Sequence, residues 1–272
     1  MEQREQPGSG RPAKARLSSV ANSIRLLTSF SGEEDELGIT KLATRLRLAK
    51  STVHRLAATL TAAGFLEQNR DSGKYRLGMA LFELGALVRR RMDVANEGRP
   101  KLRELLEKTG ETVQMGVVDH LSVLYVYEME SPHAIRMAAA VGGRAPFHCT
   151  AVGKVLLAYQ PEDFVERVLQ AGLTAYTPRT LIKREAIMSM LSEVRSREHA
   201  VDDEESEPGL RAIAAPIRNH NGAVIAAVGV AAPVQRMNRR AMQTCVPTVI
   251  ATANAVSGRL GYLPPRAGTP GG

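Results

Sequence analysis

The feature of this sequence that most constrains its fold is the spacing of apolar residues between positions 39 and 77, which changes from helical to extended. Helical spacing occurs in two neighbouring segments, first at Ile39, Leu42, Ala43 and Leu46, and then at Val53, Leu56, Ala57 and Leu60. A run of turn-forming residues, 69–73, then separates two short extended segments, 65–68 and 74–77. With an amphipathic segment at 18–29, this order predicts three helices and a β-hairpin, with Ser51 as N-cap of the third helix. That order is typical of a winged helix-turn-helix.

The rest of the chain predicts a second, larger domain. Strands are expected at 112–118, 122–130, 212–218 and 224–231, and helices at 94–108 with an interruption near 98–100, 151–159, 162–171, 183–198 and 239–258. The expected division is a disordered arm at 1–16, the winged helix-turn-helix at 17–78, a linker helix at 79–93, the larger domain at 94–262 and a disordered tail at 263–272. The fold class is therefore α+β, with helices packed on one antiparallel sheet.

The two predicted parts of the chain differ in net charge. Residues 1–92 contain 16 Lys and Arg against 9 Asp and Glu, whereas the remaining residues contain 20 against 19. A basic module joined to a nearly neutral one indicates a polyanion-binding domain fused to a domain with another task.

Other classes of protein are disfavoured by composition. The two cysteines lie far apart and neither belongs to a CxxC motif, which argues against a disulfide scaffold and a structural zinc site, and no cofactor is expected. The polar N-terminus is not a secretory signal, and no apolar run is long enough for a transmembrane helix. These features predict a cytoplasmic protein.

The third predicted helix has the residues that DNA recognition requires. Val53, Leu56 and Ala57 face inward, so the other face can reach base edges and phosphates, with Lys50, Ser51, Thr52, His54 and Arg55 as candidate contacts. Arg55 suits a bidentate contact to guanine. In the predicted hairpin, Arg70, Lys74 and Arg76 are placed to contact the flanking backbone or minor groove of double-stranded DNA.

Three alternatives stay open at this point. Cys149 follows His148 and could be the nucleophile of a hydrolase or another enzyme, although a buried structural cysteine is the more common reading. The acidic run 202–205 could hold a metal, but four consecutive acids more often form a solvated loop. A winged helix can also bind proteins, which a neutral or acidic recognition helix would favour; this one is basic.

Three separated segments carry a family resemblance: ITKLATRLRLAKSTVHRLAATLTAAGFLEQNRDSGKYRLG, GGRAPFHCTAVGKVLLA and HAVDDEESEPGLRAIAAPIRNHNGAVIAAVGVAAP. The first is similar to the winged-helix domain, and the other two to the effector-domain signatures, of the isocitrate lyase regulator (IclR) family of bacterial transcription regulators. The resemblance implies a GAF-like effector domain, homodimers that can pair into homotetramers, and binding to palindromic operators. It also implies DNA contacts at residues 51–55, and a repressor that senses a small organic acid.

A candidate effector site follows from one helix start and from the resemblance. Thr150 is expected to cap the helix at 151–159 and to leave N–H groups at 151–153 free for a carboxylate. The resemblance implies a pocket formed by Met137, Ala145, Ala151, Val152, Asp202, Ala212, Gly229 and Ala231. Three of these, Ala212, Gly229 and Ala231, replace the Cys or Ser of the glyoxylate-binding pattern. The change predicts a bulkier, more apolar acid, which an aspartate at position 152 would repel.

Overall fold

The computed structural model describes residues 19–31, 34–90, 93–134 and 141–263. The expected arm at 1–16, almost all of the expected tail and Met137 lie outside these residues. Two compact units divide the chain between Arg91 and Met92. In the part of the chain that is described, no helix combines the length and the apolar character that crossing a membrane requires.

The first unit has the predicted order of elements. Its helices and strands are α1 (Ser19–Leu27), α2 (Ile39–Leu46), α3 (Lys50–Ala62), β1 (Leu66–Gln68), β2 (Tyr75–Leu77) and α4 (Met79–Arg90). The two strands pair antiparallel, and Leu37 adds a bridge to Tyr75 through two backbone hydrogen bonds of 2.8 and 2.9 Å. The prediction of three helices and a hairpin is confirmed.

The apolar residues that set the helical spacing form the core of this unit. Leu42 and Leu46 of α2 and Val53 and Leu56 of α3 are buried together. The guanidinium of Arg25 donates to the Leu46 carbonyl at 2.9 Å and so ties α1 to the end of α2. The orientation of α3 is therefore fixed by packing on its inward face.

The predicted start of α3 is wrong by two positions. The N-cap is Ala49, not Ser51, and no side chain caps the helix. Ser51 already lies in the first turn, because the sharp bend of the chain at Arg47, which adopts a left-handed conformation, ends α2 and lets α3 begin at Lys50.

The close contact between the ends of α3 and β2 depends on Gly78. A Cβ atom at position 78 would collide with the Gly64 carbonyl oxygen and lie 3.0 Å from the Leu66 nitrogen. Because these neighbours are backbone atoms, Gly78→Ala is expected to destabilise the first unit by about 1–3 kcal/mol. Urea unfolding of the full chain, followed by a probe in the first unit, measures this change.

Gly85→Ala is the matched control for that substitution. Gly85 lies within α4 and nothing would touch its added Cβ atom, so alanine should leave the stability unchanged or raise it by up to about 1 kcal/mol. Equal stability of the Gly78→Ala and Gly85→Ala proteins would show that the close contact is not needed.

The second unit is built on a six-stranded antiparallel sheet. Its elements are α5 (Asp93–Thr109), β3 (Thr112–Asp119), β4 (Ser122–Met129), β5 (Arg144–Ala145), α6 (Ala151–Ala158), α7 (Glu162–Gln170), α8 (Arg184–Arg197), β6 (Ala200–Asp203), β7 (Leu210–Arg218), β8 (Val224–Pro233) and α9 (Arg239–Arg259). The strand order is β5-β4-β3-β8-β7-β6, and every neighbouring pair is antiparallel. The predicted α+β class is confirmed.

Helices cover both faces of this sheet. On one face, Met115, Val228 and Val230 pack with residues of α5 and α9. Because side chains alternate along a strand, their neighbours Gln114, Gly116, Gly229 and Ala231 face the other side, where α6 and α8 pack. This second face contains the candidate effector residues.

The predicted interruption of the helix near residues 98–100 is wrong. α5 continues through Pro100, because the fully buried Leu102 and Leu105 attach it to the sheet. Gly98 permits this close approach, since a Cβ atom there would lie 2.6 Å from the Met115 methyl carbon. Both residues that suggested a break therefore lie inside a packed helix.

Candidate functional sites

The first candidate site is the exposed side of α3. Lys50, Ser51, His54 and Arg55 are exposed and Thr52 is half-buried, while Val53 and Leu56 are buried. The Thr52 and Val53 N–H groups both donate to the Ala49 carbonyl, at 3.0 and 3.1 Å. The N–H groups of Lys50 and Ser51 have no partner among the described residues. This helix start therefore offers two backbone donors beside several polar or cationic side chains, a combination suited to phosphate oxygens.

The predicted residues of the hairpin differ in their availability. Arg70 and Lys74 are exposed and form no ion pair with any residue that the structure describes. Arg76 is exposed too, but its guanidinium donates twice to the Glu67 carboxylate, at 3.0 and 2.8 Å. This pairing raises the pKa of Arg76 further and partly neutralises its charge. Arg70 and Lys74 are thus the better placed of the three for an external phosphate.

Sequence reasoning missed Arg47 as a candidate for the same surface. It is exposed in the turn between α2 and α3, and it forms no ion pair with a described residue. In contrast, Lys41 and Arg45 of α2 both pair with Glu34, which lowers the pKa of that carboxyl group. The sequence signal for Arg47 was a cationic residue in the turn between two predicted helices.

The second candidate site is a cavity of about 100 Å³ in the second unit, between the start of α6 and the sheet. Its lining is Gln114, Tyr125, Thr150, Ala151, Val152, Asp202, Ser206, Glu207, Leu210, Ala212, Ile213, Gly229, Val230 and Ala231. Six predicted effector residues are thus brought together, at positions 151, 152, 202, 212, 229 and 231. Ala145 is not in this lining; it packs beside the core between the sheet and α6.

Thr150 caps α6 as expected. Its hydroxyl oxygen accepts a hydrogen bond from the Gly153 N–H at 3.1 Å and donates to the Pro146 carbonyl at 2.8 Å. Gly153 is therefore not free, which corrects the expectation for that position. The N–H groups of Ala151 and Val152 have no partner among the described residues, so a carboxylate can accept from these two.

The side chain of Val152 lies between two strand glycines. A Cβ atom at Gly116 would be 2.7 Å from one Val152 methyl carbon, and a Cβ atom at Gly229 would be 3.0 Å from the other. Val152 is only 3% exposed. Gly229 thus makes room for Val152 rather than for a ligand, and an aspartate at position 152 would disturb the packing of α6 as well as the cavity.

Asp202 is the anionic group of the cavity. It lies in β6, is 1% exposed, and accepts hydrogen bonds from the Glu205 N–H at 2.8 Å, the Ser206 N–H at 3.3 Å and the Ser206 hydroxyl. Burial raises its pKa, against the effect of these donors and of the positive charge of Lys154. The expectation that the acidic run forms a solvated loop is therefore wrong at Asp202.

The same acidic run also contains a buried ion pair. The Lys154 ammonium, 3% exposed, donates to the Glu205 carboxylate and to the Val201 carbonyl, the latter at 2.9 Å. Asp203 pairs with Arg211 at 2.5 Å, which lowers its pKa. The acids of this run are thus held inward by Lys154, 51 residues away in the sequence, and by Arg211, 8 residues away.

The enzyme alternative at Cys149 is wrong. The thiol is fully buried, and burial raises its pKa to about 12, so it is not a thiolate at neutral pH. The ring of His148 meets the Thr174 carbonyl through Nε2 at 2.9 Å rather than the thiol. Cys149 is a buried residue of the α6 side of the sheet.

Sequence reasoning also missed four lining residues with polar side chains, Gln114, Tyr125, Ser206 and Glu207. The signal for Gln114 was a polar residue inside an otherwise apolar strand, between Val113 and Met115. Tyr125 and Ser206 reach the cavity only through the pairing of the sheet and the fold of the loop after β6.

Both units match known sequence families. Residues 19–70 match the IclR helix-turn-helix domain, and residues 86–258 match the family described as "Bacterial transcriptional regulator IclR C-terminal". The second match covers more than half of the chain.

Individual relatives cover nearly all of the chain. The HTH-type transcriptional regulator KdgR of Escherichia coli is 36% identical over 247 residues, which is 90% of this chain and 94% of the relative. The transcriptional repressor IclR of Escherichia coli is 32% identical over 229 residues, 83% and 84% of the two chains. A solved IclR homolog from Microbacterium hydrocarbonoxydans, complexed with 4-hydroxybenzoate, has a TM-score of 0.81 and 28% identity, covering 89% of this chain and 99% of the other.

Proposed function

The chain belongs to the IclR family of bacterial transcription regulators, and from this we propose that it represses transcription by binding a palindromic operator through α3 and releases it when a small organic acid binds the α6 cavity. It is a DNA-binding regulator of the helix-turn-helix type, not an enzyme. The repressor role is proposed because relatives such as IclR and AllR of Escherichia coli are named repressors.

The start of α3 is the observation that carries the DNA-binding proposal. Exposed Lys50, His54 and Arg55 stand beside two unpartnered backbone N–H groups, on a helix whose other face is buried. Phosphate contacts by Lys50 and the N–H groups would position the protein, and Arg55 would read a base. Arg70 and Lys74 of the hairpin would hold the flanking backbone.

Removal of the Arg55 side chain tests this assignment. Arg55→Ala is expected to weaken binding to the operator by about 10- to 100-fold, since one base contact contributes about 1–3 kcal/mol. Because the side chain of Arg55 is exposed and has no partner among the described residues, the melting temperature should not change. Gel shifts on the upstream region of the gene, at one fixed salt concentration, measure the affinity.

Arg197→Ala is the control, since it removes an equally exposed arginine from α8 of the second unit. Its affinity for the operator should equal that of the wild type. If Arg55→Ala also binds like the wild type, Arg55 has no role in recognition.

The effector proposal rests on the cavity at α6. The Ala151 and Val152 N–H groups would donate hydrogen bonds to the carboxylate, and the small apolar side chains of Ala212 and Ala231 line the cavity beside it. The complex of a homolog with 4-hydroxybenzoate supports an organic acid that is larger than glyoxylate. Met137 and Ala145 remain candidates from the family resemblance alone.

We also propose that the protein is a homodimer and that dimers can pair into tetramers. The first unit exposes large apolar side chains on two helices, at Val20 and Ile24 of α1 and at Met79, Phe82, Leu84 and Leu87 of α4. Exposed apolar side chains that recur along one helix, as Met79, Phe82 and Leu87 do on α4, mark an interaction surface when they form a contiguous patch. A twofold dimer would bury them and present two copies of α3 to the half-sites of a palindrome.

A further inference from the structure

Gln114 is a buried polar residue in the wall of the α6 cavity. It lies in the middle of β3, is 7% exposed and lines the α6 cavity. Its side-chain amide makes no hydrogen bond with any residue that the structure describes. A buried amide without partners destabilises a protein, so a residue of this kind in the wall of a cavity points to a partner that comes from outside.

The other polar side chains around the cavity already have partners or reach solvent. Asp202 accepts three hydrogen bonds, one of them from the Ser206 hydroxyl. Thr150 caps α6, and Tyr125 lies beside Thr150. Glu207 is exposed at the mouth. Among the residues that the structure describes, a ligand would therefore meet the side-chain amide of Gln114 without a partner, in addition to the Ala151 and Val152 N–H groups at the start of α6.

The position of Gln114 separates it from Asp202. In the sheet, Gln114 of β3 pairs with Gly229 of β8. Asp202 lies on β6, the outermost strand on that side, and pairs with Ala212 of β7. The backbones of Gln114 and Asp202 are therefore three strand spacings apart, which is about 14 Å. Between the two, the cavity is lined by the small side chains of Ala212 and Ala231, so a ligand can lie along them.

We propose that Gln114 is a specificity-determining residue of the effector site and that it binds a hydroxyl group, so that the effector is a hydroxylated carboxylic acid. This rests on the proposed function, in which the carboxylate binds at Ala151 and Val152. An amide offers both a donor and an acceptor. A hydroxyl can satisfy both, whereas a keto oxygen would leave the amide oxygen without a partner.

A second anionic group on the ligand fits this position poorly. A second carboxylate would face Glu128, which pairs with Gln114 in the sheet, and would share the cavity with Asp202. A hydroxyl group avoids this repulsion and provides both the donor and the acceptor that the amide of Gln114 can use.

Matched pairs of acids that differ by one hydroxyl group test the proposal. The probes are 4-hydroxybenzoate and benzoate, 4-hydroxybutyrate and butyrate, lactate and propionate, and glycolate and acetate, titrated into the full-length protein by calorimetry. The hydroxylated member of the pair that binds most tightly should bind about tenfold or more tightly than its partner, which is the effect of one or two net hydrogen bonds. In Gln114→Met, which keeps the length of the side chain, this preference should disappear while the unsubstituted acid binds as before.

Gln170→Met, on the exposed face of α7, is the control and should keep the preference. Gln114→Leu is a second variant if Gln114→Met lowers the melting temperature. Equal affinities within the pairs for the wild type, or a preference that survives in both Gln114 variants, would overturn the role of Gln114 but leave the organic-acid site in place. If none of the eight acids binds the wild type, the organic-acid effector itself is overturned, and this inference with it.

Discussion

Phe82→Glu is expected to convert the protein to a monomer and to lower its affinity for the operator on the order of 100-fold or more. Phe82 is 65% exposed on α4, so a glutamate there leaves the core of the first unit unchanged. In a dimer joined through α1 and α4, the same substitution buries two carboxylates without partners, which is strongly unfavourable. Each monomer then binds one half-site of the operator. Binding of the first half-site no longer brings a second copy of α3 close to the other half-site, so affinity falls.

Two measurements separate this effect from loss of folding. Analytical ultracentrifugation reports the mass in solution, and the melting temperature reports whether the unit is intact. Leu121→Glu, which replaces an exposed leucine in the turn between β3 and β4, controls for the general effect of a new surface charge. A Phe82→Glu protein that remains dimeric would place the dimer interface elsewhere, and a monomer with full operator affinity would contradict the need for two half-sites.

Ala231→Leu is expected to abolish effector binding, with a loss on the order of 100-fold or more, while operator binding is retained. Ala231 faces the cavity across from Ala212, and the three added carbon atoms would extend into the space that the effector is proposed to occupy. The added side chain extends into empty space, so the packing of the sheet should change little. Calorimetry with the tightest-binding acid and gel shifts with and without that acid measure the two properties.

This variant is a sharper test than an aspartate at position 152. Val152 fills the space above Gly116 and Gly229, so a carboxylate there would perturb the fold and the site together. Ala223→Leu, in the exposed turn before β8, adds the same volume away from the cavity and should bind the acid normally. Unchanged binding by Ala231→Leu would mean that the effector lies in another part of the second unit.

The elements predicted best are those encoded by local patterns. The helical spacing at Leu42, Leu46, Val53 and Leu56 and the turn residues before Tyr75 were sufficient to predict α2, α3 and the hairpin. Three residues each of β1 and β2 follow directly from that turn. Local capping chemistry also placed Thr150 correctly at the start of α6.

The features that could not be predicted depend on residues far apart in the sequence. The acidic run after β6 turns inward because Lys154, which lies 51 residues away in the sequence, binds the Glu205 carboxylate. Likewise, the sequence predicts that Gly229 leaves added space for a ligand, whereas the side chain of Val152 fills that space in the structure. Neither relation leaves a signature within a short window of sequence.

The contact at Gly78 has a mechanical consequence. The Gly78 N–H donates to the Phe65 carbonyl at 2.9 Å and the Ala80 N–H to the Gly64 carbonyl at 3.2 Å, so the first turn of α4 is fastened to the residues that end α3. The start of α4 cannot move closer to the end of α3, because the backbones of Gly64 and Gly78 are already in contact. With twelve residues, α4 is a rod about 18 Å long. In the proposed dimer, a tilt imposed at the Arg90 end of α4 would therefore tilt α3 with it and change the distance between the two copies of α3, without unfolding either of them.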